Sequence, residues 1–404
     1  MLLKRGVILF LILFVTDLDG RRLHIQLFDN RLVHSVFIDS EHSTLLSELS
    51  SRYRRKSKDC IEVRLRVDGI QHEKVGIREK GTQSNAFAWT QKKPLKIILD
   101  EFLKNNRHLG ISRFNLANAF EDPSFLRDVL SLQCLTKLNV PAPRASYGAV
   151  HLNDEYLGLY VLIEQVDKLF LLRKFGEASG NLYKGVGGCF ESGERTGQKY
   201  FELKTNKSDN DRSGLKRFIR LVNDANDQVF ADSIEFYLNT RSFLQCMAFD
   251  FIGANTDSYV WGRCHNFYLY EKENGQFEWI AWDYNQSFGY DLMAQRSLDL
   301  PTYETTKEMS LLNRLLTIPE YQVQFKAAAT ETIDLLSSKK IRHFIKEQHN
   351  MIEPWVKKDT NAFYPYKAFA NSLNGKSLSG GLNADIPSIL GHIKSQRKRY
   401  RKAL

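Results

Sequence analysis

Two aspartates bracket a predicted aromatic hairpin in the second half of the chain. The strands "NFYLY" and "FEWIAW" flank the turn "EKENGQ", with Asp257 before the first strand and Asp283 at the end of the second. An antiparallel pair brings its outer ends together. The two carboxylates are therefore expected to lie side by side, although 26 positions separate them in the sequence.

Converging acids of this kind bind a divalent cation, share a proton in acid–base chemistry, or cap turns and helices. Asn255 and Asn266 stand close to Asp257 in the sequence, and a strand end presents Asp283. Mg²⁺ prefers hard oxygen ligands and takes its remaining ligands from water and substrate phosphates. The pattern favours a metal site formed by Asp257, Asp283 and Asn266, in a protein that transfers phosphoryl groups.

Phosphoryl transfer also requires cations near the nucleotide. Lys96 lies in the predicted strand "KPLKI" between apolar neighbours, where it either faces a cleft or protects a strand edge. Glu164 ends the apolar strand "GLYVLIE", where an unpaired carboxylate is costly. We predict an ion pair between Lys96 and Glu164 that holds the lysine over phosphates.

The segment "GIREKGTQS" is the candidate phosphate-covering turn. Gly81 would permit close approach of the phosphates, and Arg78 would add positive charge. Lys80 and Ser84 lie in the same segment and are further candidates for nucleotide contacts. The pattern is neither a Walker A loop nor a G-x-G-x-x-G loop, so it is weak evidence by itself.

The surrounding elements predict an α+β fold with two lobes. Residues 21–165 are strand-rich with one strong helix, and residues 166–390 are mainly helical with the hairpin embedded. Long helices are predicted over "DSIEFYLNTRSFLQCMAFDFIGAN" and "MSLLNRLLTIPEYQVQFKAAATETIDLL". Ligands favour a cleft between two such lobes.

The net charge of +10 is concentrated in two segments. The C-terminal tail, residues 391–404, carries six basic residues within "KSQRKRYRKAL" and no acid, and "RYRRKSKD" covers residues 52–59. Such runs are usually solvated, although the tail offers a contact for an anionic surface. No aromatic-interleaved stacking motif supports a contact with nucleic acid, so nucleic-acid binding is not expected.

The N-terminus resembles a secretory leader. Lys4 and Arg5 precede nine apolar residues, Val7 to Val15, a run too short to span a membrane. No small-x-small cleavage site follows. We predict a leader over residues 1–20 and export to the periplasm, cell surface or medium. The alternative is a buried strand in a cytoplasmic protein. Five cysteines without a C-x-x-C pair give no zinc or redox motif, and burial is predicted for most.

Seven short segments in family order resemble the spore coat protein H (CotH) kinase family, a group with an atypical, secretory-pathway-type protein kinase fold. They cover roughly residues 33–290. The segments are "VGIREKGTQS", "KPLKI", "NDEYLGLYVLIEQVDKLFL", "GNLYKG", "NTD", "HNFYLY" and "WIAWDYNQSFG".

The resemblance implies a bilobal kinase that uses ATP with Mg²⁺ or Mn²⁺ and phosphorylates Ser or Thr of proteins, itself included. It implies a catalytic role for Asp257, metal binding by Asp283 and Asn266, and an ion pair of Lys96 with Glu164. Arg78 and the Gly81 turn would form the phosphate loop.

Two other functions stay open. The turn "KGTQSN" departs from the family's Gly-Asn-Ser-Ser type, which leaves room for a pseudokinase that serves as a surface or coat interaction module. A metal-dependent phosphohydrolase could use the same aspartates. No His-rich two-metal cluster supports that alternative.

Overall fold

The computed structural model describes residues 15–16, 22–23, 26–41, 44–86, 91–187, 190, 199–261, 264–289, 310–375 and 386–403. Most of the predicted leader lies outside the described residues. None of the described helices combines the length and the apolar character that a membrane span requires.

The described chain is mixed α+β, as the sequence predicts. The strands are β1 Val15–Thr16, β2 Arg22–Leu23, β3 Val33–Asp39, β4 Ile61–Val67, β5 Ile70–Glu79, β6 Leu95–Ile98, β7 Arg113–Ala117, β8 Ala145–Leu152, β9 Glu155–Glu164, β10 Asn181–Val186, β11 Phe201–Leu203, β12 His265–Glu271 and β13 Phe277–Ala281. The helices are α1 Leu45–Arg54, α2 Gln83–Ala86, α3 Arg127–Lys137, α4 Lys168–Phe175, α5 Ser213–Asn223, α6 Asp227–Tyr237, α7 Thr240–Ile252, α8 Ser310–Leu316, α9 Pro319–Leu336, α10 Lys339–Lys358, α11 Tyr366–Asn371 and α12 Ile389–Ala403.

Seven strands of the first half close into a barrel in the order β3-β4-β5-β6-β7-β9-β8. The pair β3–β8 is parallel and closes the barrel, whereas the other neighbours are antiparallel. Strand β4 shows why the chain folds this way, because its Ile, Val and Leu residues alternate with charged residues and only the apolar ones are buried. Helix α1 adds Leu45 and Leu49 to the same core.

The second sheet has the order β11-β10-β12-β13 and contains the predicted hairpin. Register pairs Phe267 with Ala281 and Leu269 with Trp279. The rings of Phe267 and Trp279 stack with their centroids 3.9 Å apart, and the α-helices pack around them in one large apolar core. Both strands contribute aromatic side chains to this core, and every residue of β13 is buried.

Two segments predicted as single helices are each divided in the structure. Asn239 ends the first part and caps α7, where its side-chain oxygen accepts the Ser242 N–H at 3.1 Å. Pro319 begins α9, since proline fits the first turn but cannot continue the preceding helix. In both segments the apolar residues keep a helical spacing across the break, so the sequence pattern does not reveal where one helix ends and the next begins.

The basic tail forms helix α12. Ile389, Ile393 and Tyr400 are buried, and the Tyr400 hydroxyl donates to the Lys326 carbonyl at 3.0 Å in α9. Its apolar face therefore anchors the helix to the protein.

A buried ion pair connects the barrel to helix α10. The Lys92 ammonium lies 2.5 Å from the carboxylate of Asp359, and both side chains are fully buried. Asp359 also accepts the backbone N–H groups of Leu159 and Asn361, each at 3.0 Å. Paired charges with their hydrogen bonds satisfied tolerate burial, whereas either charge alone does not.

We expect Asp359→Ala to lower the free energy of unfolding by about 3–5 kcal/mol, because it removes the carboxylate that pairs with the fully buried Lys92 ammonium. Urea denaturation measures the change. The matched control is Arg31→Ala, which removes a pair with Asp29 whose arginine side chain is 85% exposed and should change stability by less than about 0.5 kcal/mol. Equal effects of the two substitutions would contradict the structural role of the Lys92–Asp359 pair.

Candidate active site

A cavity of about 1530 Å³ lies between the outer face of the barrel and the four-stranded sheet. Its walls come from strands β5 to β7, from β10 to β12 and from the segment after β13. Every predicted site residue except Glu164 lines it. These residues are Arg78, Lys80, Gly81, Ser84, Lys96, Asp257, Asn266 and Asp283.

Asp257 lies in the turn after α7 and is held by the start of β12. The Asn266 amide nitrogen donates to the backbone carbonyl of Asp257 at 2.9 Å and to its carboxylate at 2.8 Å. The His265 Nε2 lies 3.3 Å from the other carboxylate oxygen. Burial opposes protonation of His265, but the hydrogen bond and charge of Asp257 raise its pKa above the ordinary value. The carboxylate is thus oriented from two directions.

Asp283 follows β13 and lines the cavity, in a left-handed backbone conformation with φ of 65°. Water reaches its side chain through the cavity although protein surrounds it, so the charge is only partly solvated. Burial raises the pKa of the Asp283 carboxyl; Lys80 opposes this and Asp257 adds to it. The two predicted acids therefore share one electrostatic environment.

Asp128 is a third acid at this site, which the sequence interpretation missed. It lies at the start of α3, and its carboxylate accepts the backbone N–H of Tyr284 at 2.8 Å. Burial and the charge of Asp283 raise its pKa to about 8. The sequence signal that could have identified Asp128 is an acid in a predicted helix with apolar residues next to it. Asp128 fixes the backbone immediately after Asp283.

Four cations in the same cavity have no carboxylate partner among the residues that the structure describes. Arg78 pairs with Lys96 across β5 and β6 and therefore shares its face of the sheet. Arg78, Lys80, Lys96 and Lys184 form no ion pair with any described residue. Burial, followed by the charges of Arg78, Lys80 and Arg113, lowers the pKa of Lys96 to about 7. Such a cluster favours a polyanionic ligand.

The predicted ion pair of Lys96 with Glu164 is wrong. Register places Lys96 opposite Asn115, and Asn115 opposite Ile163, so Glu164 points to the other face of the sheet. Glu164 instead binds two arginines. Arg144 reaches its carboxylate at 2.9 Å and Arg173 at 2.7 Å. The buried Glu164 carboxylate is therefore paired, but its partners connect β8, β9 and α4, and Glu164 does not line the cavity.

The Gly81 turn has the geometry expected of a close-approach site. Gly81 has φ of 80°, and a Cβ atom there would lie 2.3 Å from the Ser84 hydroxyl oxygen. The Tyr53 hydroxyl donates to the Gly81 carbonyl at 2.8 Å, which ties the turn to α1. A side chain at position 81 would both strain the backbone and displace Ser84.

Within the described part of the chain, no three His, Cys, Asp or Glu side chains converge on a complete metal site. Asp257 and Asp283 nevertheless line one cavity and offer only oxygen donors. Mg²⁺ binds through one or two carboxylates when substrate phosphates supply other ligands. The residues present fit a cation that arrives with phosphates.

The sequence profile of the family described as CotH kinase protein matches residues 77–395. The chain belongs to the CotH kinase family. The match contains every predicted site residue and most of the described cavity wall.

Several curated proteins are similar to this CotH kinase family chain. The Bacillus subtilis inner spore coat protein H is 26% identical over 64% of this chain and 71% of that protein. The Rhizopus delemar invasins CotH7 and CotH2 are 24% and 20% identical over 61% and 81% of this chain. The alignments span 44% and 58% of the two invasins, less than two thirds of their length.

Two solved structures are also similar. The Helicobacter pylori proinflammatory kinase CtkA has a TM-score of 0.29 and 12% identity, covering 69% of this chain and 95% of that one. A chain of the Shewanella oneidensis HipA–HipB–operator DNA complex has a TM-score of 0.27 and 11% identity, covering 91% and 71%. Scores this low do not establish a common fold.

The lowered pKa of Lys96 predicts proton uptake when a nucleotide binds. Lys96 is largely neutral above pH 7 in the free protein, and phosphates favour its charged form. Affinity should therefore fall as the pH rises from 7 to 9, by up to about tenfold per pH unit. Calorimetry with a non-hydrolysable ATP analogue, in two buffers of different ionisation enthalpy, measures the uptake.

Lys96→Arg is the matched control, because arginine keeps its charge throughout this range. It should bind the analogue with less proton uptake and a flatter pH profile. The remaining uptake belongs to Lys80, whose pKa burial also lowers. Identical profiles for the wild type and Lys96→Arg would remove Lys96 from the anion site.

Proposed function

We propose that this CotH kinase family protein is an ATP-dependent kinase, assisted by Mg²⁺ or Mn²⁺, that phosphorylates Ser or Thr hydroxyls of proteins, its own included. The observation that carries the proposal is the cavity in which Arg78, Lys80, Lys96 and Lys184 lack carboxylate partners among the described residues and face Asp257 and Asp283. Cations and carboxylates in one cavity suit a triphosphate with a bound metal ion. The cations would contact the phosphates, and the acids would contact the metal.

Each residue has a distinct role in this proposal. Arg78, Lys80 and Lys96 bind the phosphates, and the Gly81 turn with Ser84 covers them. Asp283 and Asn266, together with Asp257, would hold the divalent cation, which neutralises charge on the phosphates when bound. Asp257, oriented by its contacts with Asn266 and His265, accepts the proton of the attacking hydroxyl.

The reaction balances without another reactant. The acceptor oxygen forms a bond to the γ-phosphorus while the bond between that phosphorus and the β–γ bridging oxygen breaks, and ADP leaves. Glu164 has no place in this chemistry. Its contacts with Arg144 and Arg173 suit a positioning role for α4 beside the cavity.

We further propose that the barrel and the helical half correspond to the two lobes of an atypical kinase. Residues 21–165 would be the N-lobe, residues 166–390 the C-lobe, and residues 391–404 a tail whose charged face contacts an anionic surface. The cavity between the barrel and the four-stranded sheet supports this division.

Export to a cell surface or coat is proposed on three grounds. The similar proteins are named as a spore coat protein and invasins. Cys264 is disulfide-bonded, which is typical of oxidising compartments, while Cys60, Cys134 and Cys246 are buried free thiols. The N-terminal charge and apolar run match a leader. An intact Met1 on native protein in a cytoplasmic fraction would favour the cytoplasmic alternative.

Asp283→Asn should abolish divalent-dependent phosphoryl transfer. Loss of one carboxylate–metal contact from the transition state costs several kcal/mol, so the rate should fall about a thousandfold. Thermal stability should stay equal or rise, because burial and the charge of Asp257 both disfavour the Asp283 carboxylate, although its attraction to Lys80 is lost. Radiolabelled phosphate transfer measured across a Mg²⁺ and Mn²⁺ titration, with a parallel thermal melt, tests both statements.

Asp334→Asn serves as the control, since Asp334 is an exposed acid on α9. It should leave the rate unchanged. Full activity of Asp283→Asn would indicate that Asp283 caps a turn and does not bind the metal. If the wild-type protein transfers no phosphate to itself or to any acceptor, the non-catalytic interaction module becomes the better account.

A further inference from the structure

The basic segment at residues 52–59 lies at the mouth of the cavity. Arg54, Lys56 and Lys58 line the opening and are exposed, and none of the three forms an ion pair with a described residue. The sequence alone predicts that this run is a solvated face. Its position beside the candidate active site indicates instead that its charges act on ligands that enter the cavity.

The lysines of this segment are held in place by the end of helix α1. The Ser57 N–H donates to the Arg52 carbonyl at 3.0 Å, and the Lys56 N–H to the Tyr53 carbonyl at 2.8 Å. This hydrogen-bond pattern places Lys56 in the left-handed position that glycine usually occupies, with φ of 59°. Arg52 is in turn anchored to Glu48 and to the Cys60 carbonyl. The segment is therefore an ordered turn.

The four-stranded sheet supplies cations on the opposite side of the mouth. Lys184, Lys204 and Lys207 line the cavity there, and Lys204 pairs with Glu202 at 2.6 Å. Burial works against ionisation of Glu202, but Lys204, then Lys58 and Lys184, lower its pKa. Lys58 therefore acts on the sheet from across the opening, and the two sides form one continuous field.

We call Arg54, Lys56, Lys58, Lys204 and Lys207 the cationic rim. The whole cavity wall carries twelve Lys and Arg residues against eight Asp and Glu residues. Asp128, Asp257 and Asp283 interact with one another in one part of the wall, whereas Glu202 is the acid that accompanies the rim lysines, so positive charge predominates at the rim. A field of one sign across an opening attracts ligands of the opposite sign.

We propose that the cationic rim selects acceptor segments in which anionic side chains flank the Ser or Thr. This inference rests on the proposed kinase function. The acceptor hydroxyl must reach Asp257, whose side chain is only 14% exposed, so the residues on either side of that hydroxyl must pass the exposed cations of the rim. Asp, Glu and phosphoserine share the required chemistry, whereas a basic segment would meet like charges at the rim.

The test separates recognition from catalysis. Fluorescent peptides with Ala at the acceptor position and with acidic, phosphoserine, neutral or basic flanks are titrated into the full-length protein. The wild type should bind the acidic or the phosphoserine peptide at least about tenfold more tightly than the neutral one, with an affinity that falls as salt rises. The basic peptide should bind weakest. Tight binding of the phosphoserine peptide alone would identify previously phosphorylated segments as the ligand.

The variant Lys56→Glu/Lys58→Glu should lose that preference, and Lys339→Glu/Lys340→Glu is the matched control. The control lysines are exposed, lie at the start of α10 and do not line the cavity, yet they change net charge equally. Lys58→Ala, checked by thermal melt, replaces the double variant if that variant fails to fold. ATP-analogue affinity should change less than acidic-peptide affinity in all of them, because Arg78, Lys80 and Lys96 are unaltered.

Equal binding of all peptides by the wild type, or equal loss of preference in the control variant, would overturn the proposal. These outcomes are distinguishable from failure of the kinase function itself. Binding of acidic peptides at the rim without any phosphate transfer would contradict the proposed kinase function and support the rim proposal. A protein that phosphorylates neutral and acidic peptides with the same KM keeps the kinase and refutes the rim.

Discussion

Alternation of side chains along the barrel strands determines which charges meet in the cavity. Successive residues of a strand point to opposite faces. The register from β5 through β7 to β9 therefore places Arg78, Lys96 and Asn115 on the outer face, and Glu164 with Phe114 on the inner one. A shift of one residue in any of these pairings would exchange the cavity wall for the barrel core.

One consequence is that Lys96 has no carboxylate partner within the described part of the chain. Lys96 stands among other cations, and its pKa of about 7 reflects burial and their repulsion. The acids show the corresponding effect, because burial and the charge of Asp257 raise the pKa of Asp283. Like charges repel within each cluster, and the attraction of Lys80 for Asp283 offsets part of that cost. A ligand with negative phosphates and a bound cation would relieve both clusters together, which links the electrostatics of the site to its proposed substrate.

Much of this arrangement could be predicted from local sequence. The alternating strand β4, the aromatic hairpin and the two aspartates beside it follow from period-two patterns and chain proximity. The partner of Glu164 could not be predicted so, because it depends on strand order and on arginines at distant positions. Asp128 was missed for the same reason, since only tertiary packing brings α3 beneath Asp283. Local patterns specify elements, whereas charge partners belong to the assembled fold.

The most direct test of this account is the order in which metal and nucleotide bind. Mn²⁺ binding is followed by electron paramagnetic resonance with and without a non-hydrolysable ATP analogue. Two carboxylates with lysines and an arginine in the same cavity should bind Mn²⁺ weakly when alone and tightly in a ternary complex with the nucleotide. Tight stoichiometric Mn²⁺ binding without nucleotide, or nucleotide binding that leaves Mn²⁺ free, would contradict the account.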